Sequence, residues 1–165
     1  MAKRSPTPAD VARALFDAVG RHDLDAAFEL VDEDAVDDFV AVGRFEGRAA
    51  IRGFFEELFA AFPDFGIEVE RVVADDGAAA VQWRAWGRFT GAPFQGIEPT
   101  GRRVEIRGVD VLQVADGRVG GNTIYYDGAS FARQVGMLPA AGSSVDRAVL
   151  STFNAATRLR GRLNR

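Results

Sequence analysis

Cysteine is absent from this 165-residue chain, so disulfides, thiolate nucleophiles and cysteine-bound metals are excluded and the fold must rest on packing. Histidine is nearly absent as well. With His22 alone, a multi-histidine metal site is impossible, and an oxygen-only site would have to come from scattered carboxylates. No run approaches the ~20 apolar residues of a membrane span. The start, Met1-Ala2-Lys3-Arg4-Ser5-Pro6, leads into a capped segment without the apolar centre of a signal peptide. A cytoplasmic protein with no membrane partner is expected. Basic charge is not in excess either: 24 acidic against 20 basic residues give a net charge of −4, which argues against nucleic acid as the main partner.

What is present is apolar. Hydrophobic residues make up 47% of the chain, with 13 Phe and 2 Trp, enough to fill one core and to line a pocket. The length fits a single domain.

Three helices are predicted first. Thr7 caps the first, with Pro8 at its first position, Asp10 completing the cap, and Val11, Leu15, Phe16 and Val19 as the apolar stripe. A second starts near Asp23 and buries Leu24, Phe28 and Val31, followed by an acidic turn at Asp32-Glu33-Asp34. Residues 35–45 are ambiguous. The third covers 49–62, with Ile51, Phe54, Phe55, Leu58 and Phe62 at helical spacing and Pro63-Asp64 as the stop. The pattern then becomes extended, with strands over 67–74, 78–90, 102–114 and 118–127 and tight turns at Asp75-Asp76-Gly77 and Asp116-Gly117. This is an α+β domain over residues 1–138. Residues 139–165 form a C-terminal helical extension, with Val145, Val149, Leu150 and Phe153 on one side and Arg158, Arg160, Arg162 and Arg165 toward its end. Those arginines are read as complementing a helix C-terminus and an acidic neighbouring domain.

The last strand ends in a carboxylate, Asp127. Regular alternation puts Val119, Thr123, Tyr125 and Asp127 on one face. A carboxylate on an apolar face is either paired or has a raised pKa, and the latter suits a general base near neutral pH. Tyr125, on the same predicted face, is either a hydrogen-bond donor to an oxyanion or a core ring with a satisfied hydroxyl. Asp110 shares a strand with Ile106, Gly108 and Leu112 and is either paired with an arginine such as Arg107 or a second pocket acid. Gln82, Arg84 and Arg88 fall on the outer side of their strand. Asp37-Asp38 and Glu56-Glu57 read as solvated charges, and His22 as a surface or capping residue.

Three groups of residues resemble the SnoaL-like polyketide cyclases of the nuclear-transport-factor-two-like superfamily: Gly47-Arg48-Ala49-Ala50-Ile51-Arg52 with Phe62-Pro63-Asp64-Phe65; Pro99-Thr100-Gly101-Arg102-Arg103-Val104 with Asp116-Gly117-Arg118-Val119; and Asp127 with Arg133-Gln134-Val135-Gly136. The resemblance covers about residues 8–138. It implies a cone-shaped α+β barrel, in which a strongly curved, mainly antiparallel sheet wraps around the N-terminal helices, with a deep apolar pocket and a homodimer formed through the sheet. It also implies acid/base chemistry with no metal and no cofactor, an intramolecular aldol closure or related proton transfer on a hydrophobic carbonyl compound, with Asp127 as acid and base.

Two histidines and a tryptophan of the cyclase pattern correspond here to Phe89, Val109 and Thr123. Losing donors to an enolate oxygen costs ~3 kcal/mol of transition-state stabilisation where nothing replaces them. Tyr125, Tyr126, Gln82, Arg84 and Asn122 are the replacement candidates. Phe39, Phe45, Phe55, Trp83, Phe89, Val109 and Thr123 are expected to contact the small hydrophobic ligand. Epoxide hydrolases of the superfamily end their last strand similarly but carry an Arg-Asp pair upstream, where this chain has Thr123-Ile124. Ketosteroid-isomerase-like proton transfer and a non-catalytic binding protein for a small apolar ligand are the alternatives, with a dimeric interaction platform as a third.

Overall fold

A computed structural model describes residues 6–163. The elements are α1 (Pro8–Gly20), α2 (Leu24–Glu29), β1 (Val31–Phe39), β2 (Gly43–Glu46), α3 (Arg48–Ala61), β3 (Gly66–Ala74), β4 (Ala78–Arg88), β5 (Arg103–Ala115), β6 (Arg118–Tyr126), α4 (Gly128–Val135) and α5 (Ser144–Leu163). The six strands form one curved, open sheet in the order β2-β1-β6-β5-β4-β3. Every neighbouring pair is antiparallel except β1 with β6. The helices α1 and α3 fill the concave side, giving the expected cone.

The N-terminal boundary follows from local chemistry. Thr7 Oγ1 accepts the Asp10 amide at 3.2 Å while Asp10 Oδ2 accepts the Thr7 amide at 3.0 Å, a closed capping box. The buried stripe Val11, Phe16 and Val19 then turns α1 toward the sheet. Gly91 fixes the far end of α3: a Cβ there would lie 1.9 Å from the Ala60 carbonyl oxygen, so only glycine lets the loop after β4 approach and donate to Ala61 O at 3.0 Å.

Two expectations change. The stretch Asp32-Glu33-Asp34 is not a turn but part of β1, which with β2 resolves the ambiguous residues and separates α2 from α3. Pairing with β6 at Val31 and again from Val36, and with β2 from Val36, holds the intervening acids in an extended run despite the weak strand preference of aspartate. In β1, Val31, Ala35, Asp37 and Phe39 are buried, so a carboxylate stands in the inward row. The second change is in β6. Gln113 pairs with Gly121 and Val114 with Val119, leaving Gly120 as an extra residue. This β-bulge shifts the alternation, so that Val119 faces in and then Asn122, Ile124 and Tyr126 do.

The extension beyond the cone is a helix, as its sequence suggests. Its apolar residues Val145, Val149, Leu150, Phe153 and Leu159 are all more than half exposed. Among the described residues no helix is long and apolar enough to cross a membrane.

Candidate active site

The concave face encloses a cavity of about 130 Å³. Its wall is apolar, with Phe16, Phe39, Phe54, Phe55, Phe94 and Trp83 among the lining residues. Phe54 is the hub of this wall: its ring lies 4.2 Å from Phe39, 5.7 Å from Phe55 and 5.7 Å from Phe94.

The buried polar groups of the cavity, Asp37, Asp110 and Asn122, stand on the inner face of β1, β5 and β6, and Gln95 lines it from the loop after β4. Asp110 is 7% exposed, and both of its oxygens accept: Trp83 Nε1 donates to Oδ1 at 2.7 Å and Asn122 Nδ2 to Oδ2 at 2.7 Å. Burial pushes this carboxyl up to about 6, against the two donors, which favour its ionised form. Asp37 is 6% exposed and receives no hydrogen bond from a described residue among those that shape the site. Burial, reinforced by the charge of Asp110, raises it to about 7. Tyr126 also lines the cavity, and burial raises its pKa, so its hydroxyl keeps its proton and stays a donor.

The structure brings Asp110, Trp83, Phe39, Phe55, Asn122 and Tyr126 together as lining of this cavity. It separates the other sequence-predicted site residues from it. Asp127 is exposed and caps α4, its Oδ1 accepting the Ser130 amide at 2.9 Å, beside a shallow surface depression shared with Glu105 and Arg107. Tyr125 is 51% exposed on the outer face. Val109 and Thr123 face outward too, opposite Gln82 and Val111 respectively. One cause serves Thr123, Tyr125 and Asp127: the bulge at Gly120 reverses the phase that regular alternation assigns. Phe89 is fully buried, stacked on Phe62 at 5.0 Å, and supports the core without lining the cavity. Phe45 backs the wall edge-on to Phe39 at 5.6 Å.

His22 is structural, as expected. Its ring stacks on Phe59 at 4.2 Å and its Nε2 lies 2.8 Å from the Phe65 carbonyl oxygen. Gln82 and Arg84 are engaged outside, Gln82 donating to Glu70 at 2.7 Å and Arg84 to Glu68 at 2.8 Å. The residue that sequence reasoning missed is Asp37. The alternation Ala35, Asp37, Phe39 would have placed it inward once residues 31–39 were read as a strand.

A curved sheet closed over helices, with carboxylates at the floor of an apolar cavity, can now be compared with known proteins. The family model of the SnoaL-like polyketide cyclases matches residues 9–135. The chain belongs to this family. Among solved structures, a candidate SnoaL-like polyketide cyclase from Jannaschia sp. CCS1 is similar at 25% identity and a TM-score of 0.72, with 84% of this chain and 100% of that one covered. IdmH, a candidate polyketide cyclase from Streptomyces antibioticus, matches at 27% identity and a TM-score of 0.67, over 78% and 98% of the two chains. A candidate ketosteroid isomerase from Kribbella flavida matches at 27% identity and a TM-score of 0.56, over 73% and 77%. No curated protein matches the chain in sequence.

Proposed function

We propose that the protein transfers a proton at the carbon next to a carbonyl, on an apolar compound of one or two rings held in the cone cavity, with Asp37 as the acid/base. The observation that carries this reading is a carboxyl inside an aromatic cavity, free of donors from the described residues and pushed up to about 7, where a general base is most effective. Ionised Asp37 takes the C–H proton and the electron pair moves to the carbonyl oxygen. Tyr126, protonated and lining the same cavity, is the donor for the developing enolate oxygen. Asp37 then returns the proton to a second carbon, which is isomerisation, or the enolate carbon attacks another carbonyl and Asp37 gives the proton to the alkoxide so formed, which is aldol closure. Asp110, held by Trp83 and Asn122, supplies the fixed negative charge that helps keep Asp37 near neutrality.

Solvent-deuterium exchange into 2-indanone, a small apolar ketone, tests the reading by NMR. Native protein should accelerate exchange over buffer, and Asp37→Asn should lose roughly 10²–10⁴-fold of that acceleration. An unaccelerated rate with native protein sinks it. The replacement of the family histidines by Phe89 and Val109 favours the second reading, a carrier of an unaltered apolar ligand, which tight retention of such a compound without exchange would select. On either reading the homodimer is assigned to the outer sheet face, where Val73, Val111 and Tyr125 are exposed, and sedimentation at micromolar concentration should give twice the chain mass.

A further inference from the structure

The amide of Asn122 is satisfied on one side only. Its Nδ2 donates to Asp110 at 2.7 Å, whereas its Oδ1 is closed to water and receives no hydrogen bond from a described donor. Turning the amide over offers no remedy, because it would aim the oxygen at a carboxylate that already depends on the N–H. A buried acceptor without a partner is rare enough to require an explanation. The missing donor must therefore be a group that ordinarily only accepts.

Asp37 meets that description. The parallel ladder sets its Cα directly opposite that of Asn122, both side chains are buried on the concave face, and both line the cavity. We propose that Asn122 is a positioning residue that holds a single proton on Asp37, the Asp37 hydroxyl donating to Asn122 Oδ1 while Asn122 Nδ2 donates to Asp110. The proposal rests on the reading of Asp37 as the proton carrier and explains why the proton belongs to Asp37 and not to Asp110.

Counting donors and acceptors favours one proton for the pair. With none, Asn122 Oδ1 faces a second carboxylate. With two, a hydroxyl on Asp110 is set against the N–H of Trp83 or of Asn122. With one, on Asp37, every group in the row from Trp83 to Asp37 has a partner. Asp110 is the charge that acts on Asp37, and Arg48, at the start of α3, lines a separate depression with Asp32, Glu33, Asp34 and Arg118. Among the described residues, Asp110 and Tyr126 are the titratable groups that line the cavity with Asp37. On β2, Arg44 pairs with Glu46 at 3.0 Å, and on α3, Arg52 pairs with Asp25 and Glu56, all at the surface.

Infrared difference spectra of ligand-free protein across a pH titration test this arrangement through the C=O stretch of a protonated carboxyl. Native protein should show one such band near neutral pH, at the frequency of a hydrogen-bonded carboxyl, and Asp37→Asn should abolish it. In Asn122→Leu, Asp37 loses the acceptor of its neutral form and Asp110 loses a donor to its ionised form. The midpoint of the Asp37 band should then fall by about one pH unit, a tenfold loss of proton affinity, while that of Asp110 rises. An unchanged midpoint in Asn122→Leu overturns the proposal. So does a native band at the frequency of a free carboxyl, or one that survives Asp37→Asn, and these readouts hold even where Asn122→Leu does not fold. All are taken without ligand, so a failure of the exchange reaction with 2-indanone would leave them unaffected and remain distinguishable.

Discussion

Asp37 stands between Ala35 and Phe39 in the inward row of β1, and ionising it there costs about 4 kcal/mol relative to water, judged from its rise to about 7. Its folded-state pKa lies above its unfolded one, so the native state binds the proton more tightly. The resulting stability is fully present below about pH 4 and is lost as pH rises through about 7. Asp110, raised to about 6, adds to the same trend. Urea unfolding should therefore show Asp37→Asn to be more stable than native protein by about 2–4 kcal/mol at pH 8 and nearly equal to it at pH 4. The same gain at both pH values would mean that the carboxyl has the same pKa in the folded and unfolded states. Asp127 offers the opposite test. It caps α4 and lies outside the cavity, so Asp127→Ala should cost about 1 kcal/mol and leave proton exchange on 2-indanone unchanged.

At the scale of elements, legibility depended on whether local chemistry or pairing decides a segment. The helices α1 and α3 were readable because caps and apolar spacing act within the segment itself: Thr7, Pro8 and Asp10 start one, and Ile51 and Phe54 set the buried face of the other. The strand β1 was not, because its acids favour a turn and pairing with β2 and β6 makes it a strand. In β6 the element was readable and its phase was not. Gly120-Gly121 inside an extended run was the available sign of a bulge, and without it Tyr125 and Asp127 take the place that Ile124 and Tyr126 hold. Glycine also decides the β4–β5 pairing. Gly108 lies opposite Trp83, and a Cβ there would meet the indole at 2.3 Å and the Tyr125 carbonyl oxygen at 2.6 Å. Gly108→Ala must displace Trp83 and with it the donor to Asp110. The expected cost is about 2–4 kcal/mol of stability, with a shifted tryptophan emission maximum. An unshifted spectrum at native stability would show that the indole is not held against the strand.

The whole molecule is a cone with a separate helix attached, and its two parts differ in what they bury. The family match ends at residue 135, and the apolar residues of α5 remain exposed, so removing residues 142–165 should shift the thermal midpoint by no more than about 2 °C. A larger drop would mean that α5 covers apolar surface of this chain or of a second copy. Inside the cone, volume sets what can be bound. Pockets for drug-sized ligands commonly measure about 300–1,000 Å³, so a cavity of about 130 Å³ favours a compound of one or two rings over a linear array of three. The obstacle is the aromatic wall, with Phe54 packed against Phe39, Phe45, Phe55 and Phe94. Native protein should bind 2-indanone and reject anthrone, the three-ring ketone, in calorimetric titrations. Phe54→Ala should admit anthrone while losing about 3–5 kcal/mol of stability, because the cavity it opens is lined by rings that cannot all close inward. Equal affinity of native protein for the two ketones would show that the wall parts for larger ligands, and the substrate range would then follow from how far the rings move and not from the volume they enclose.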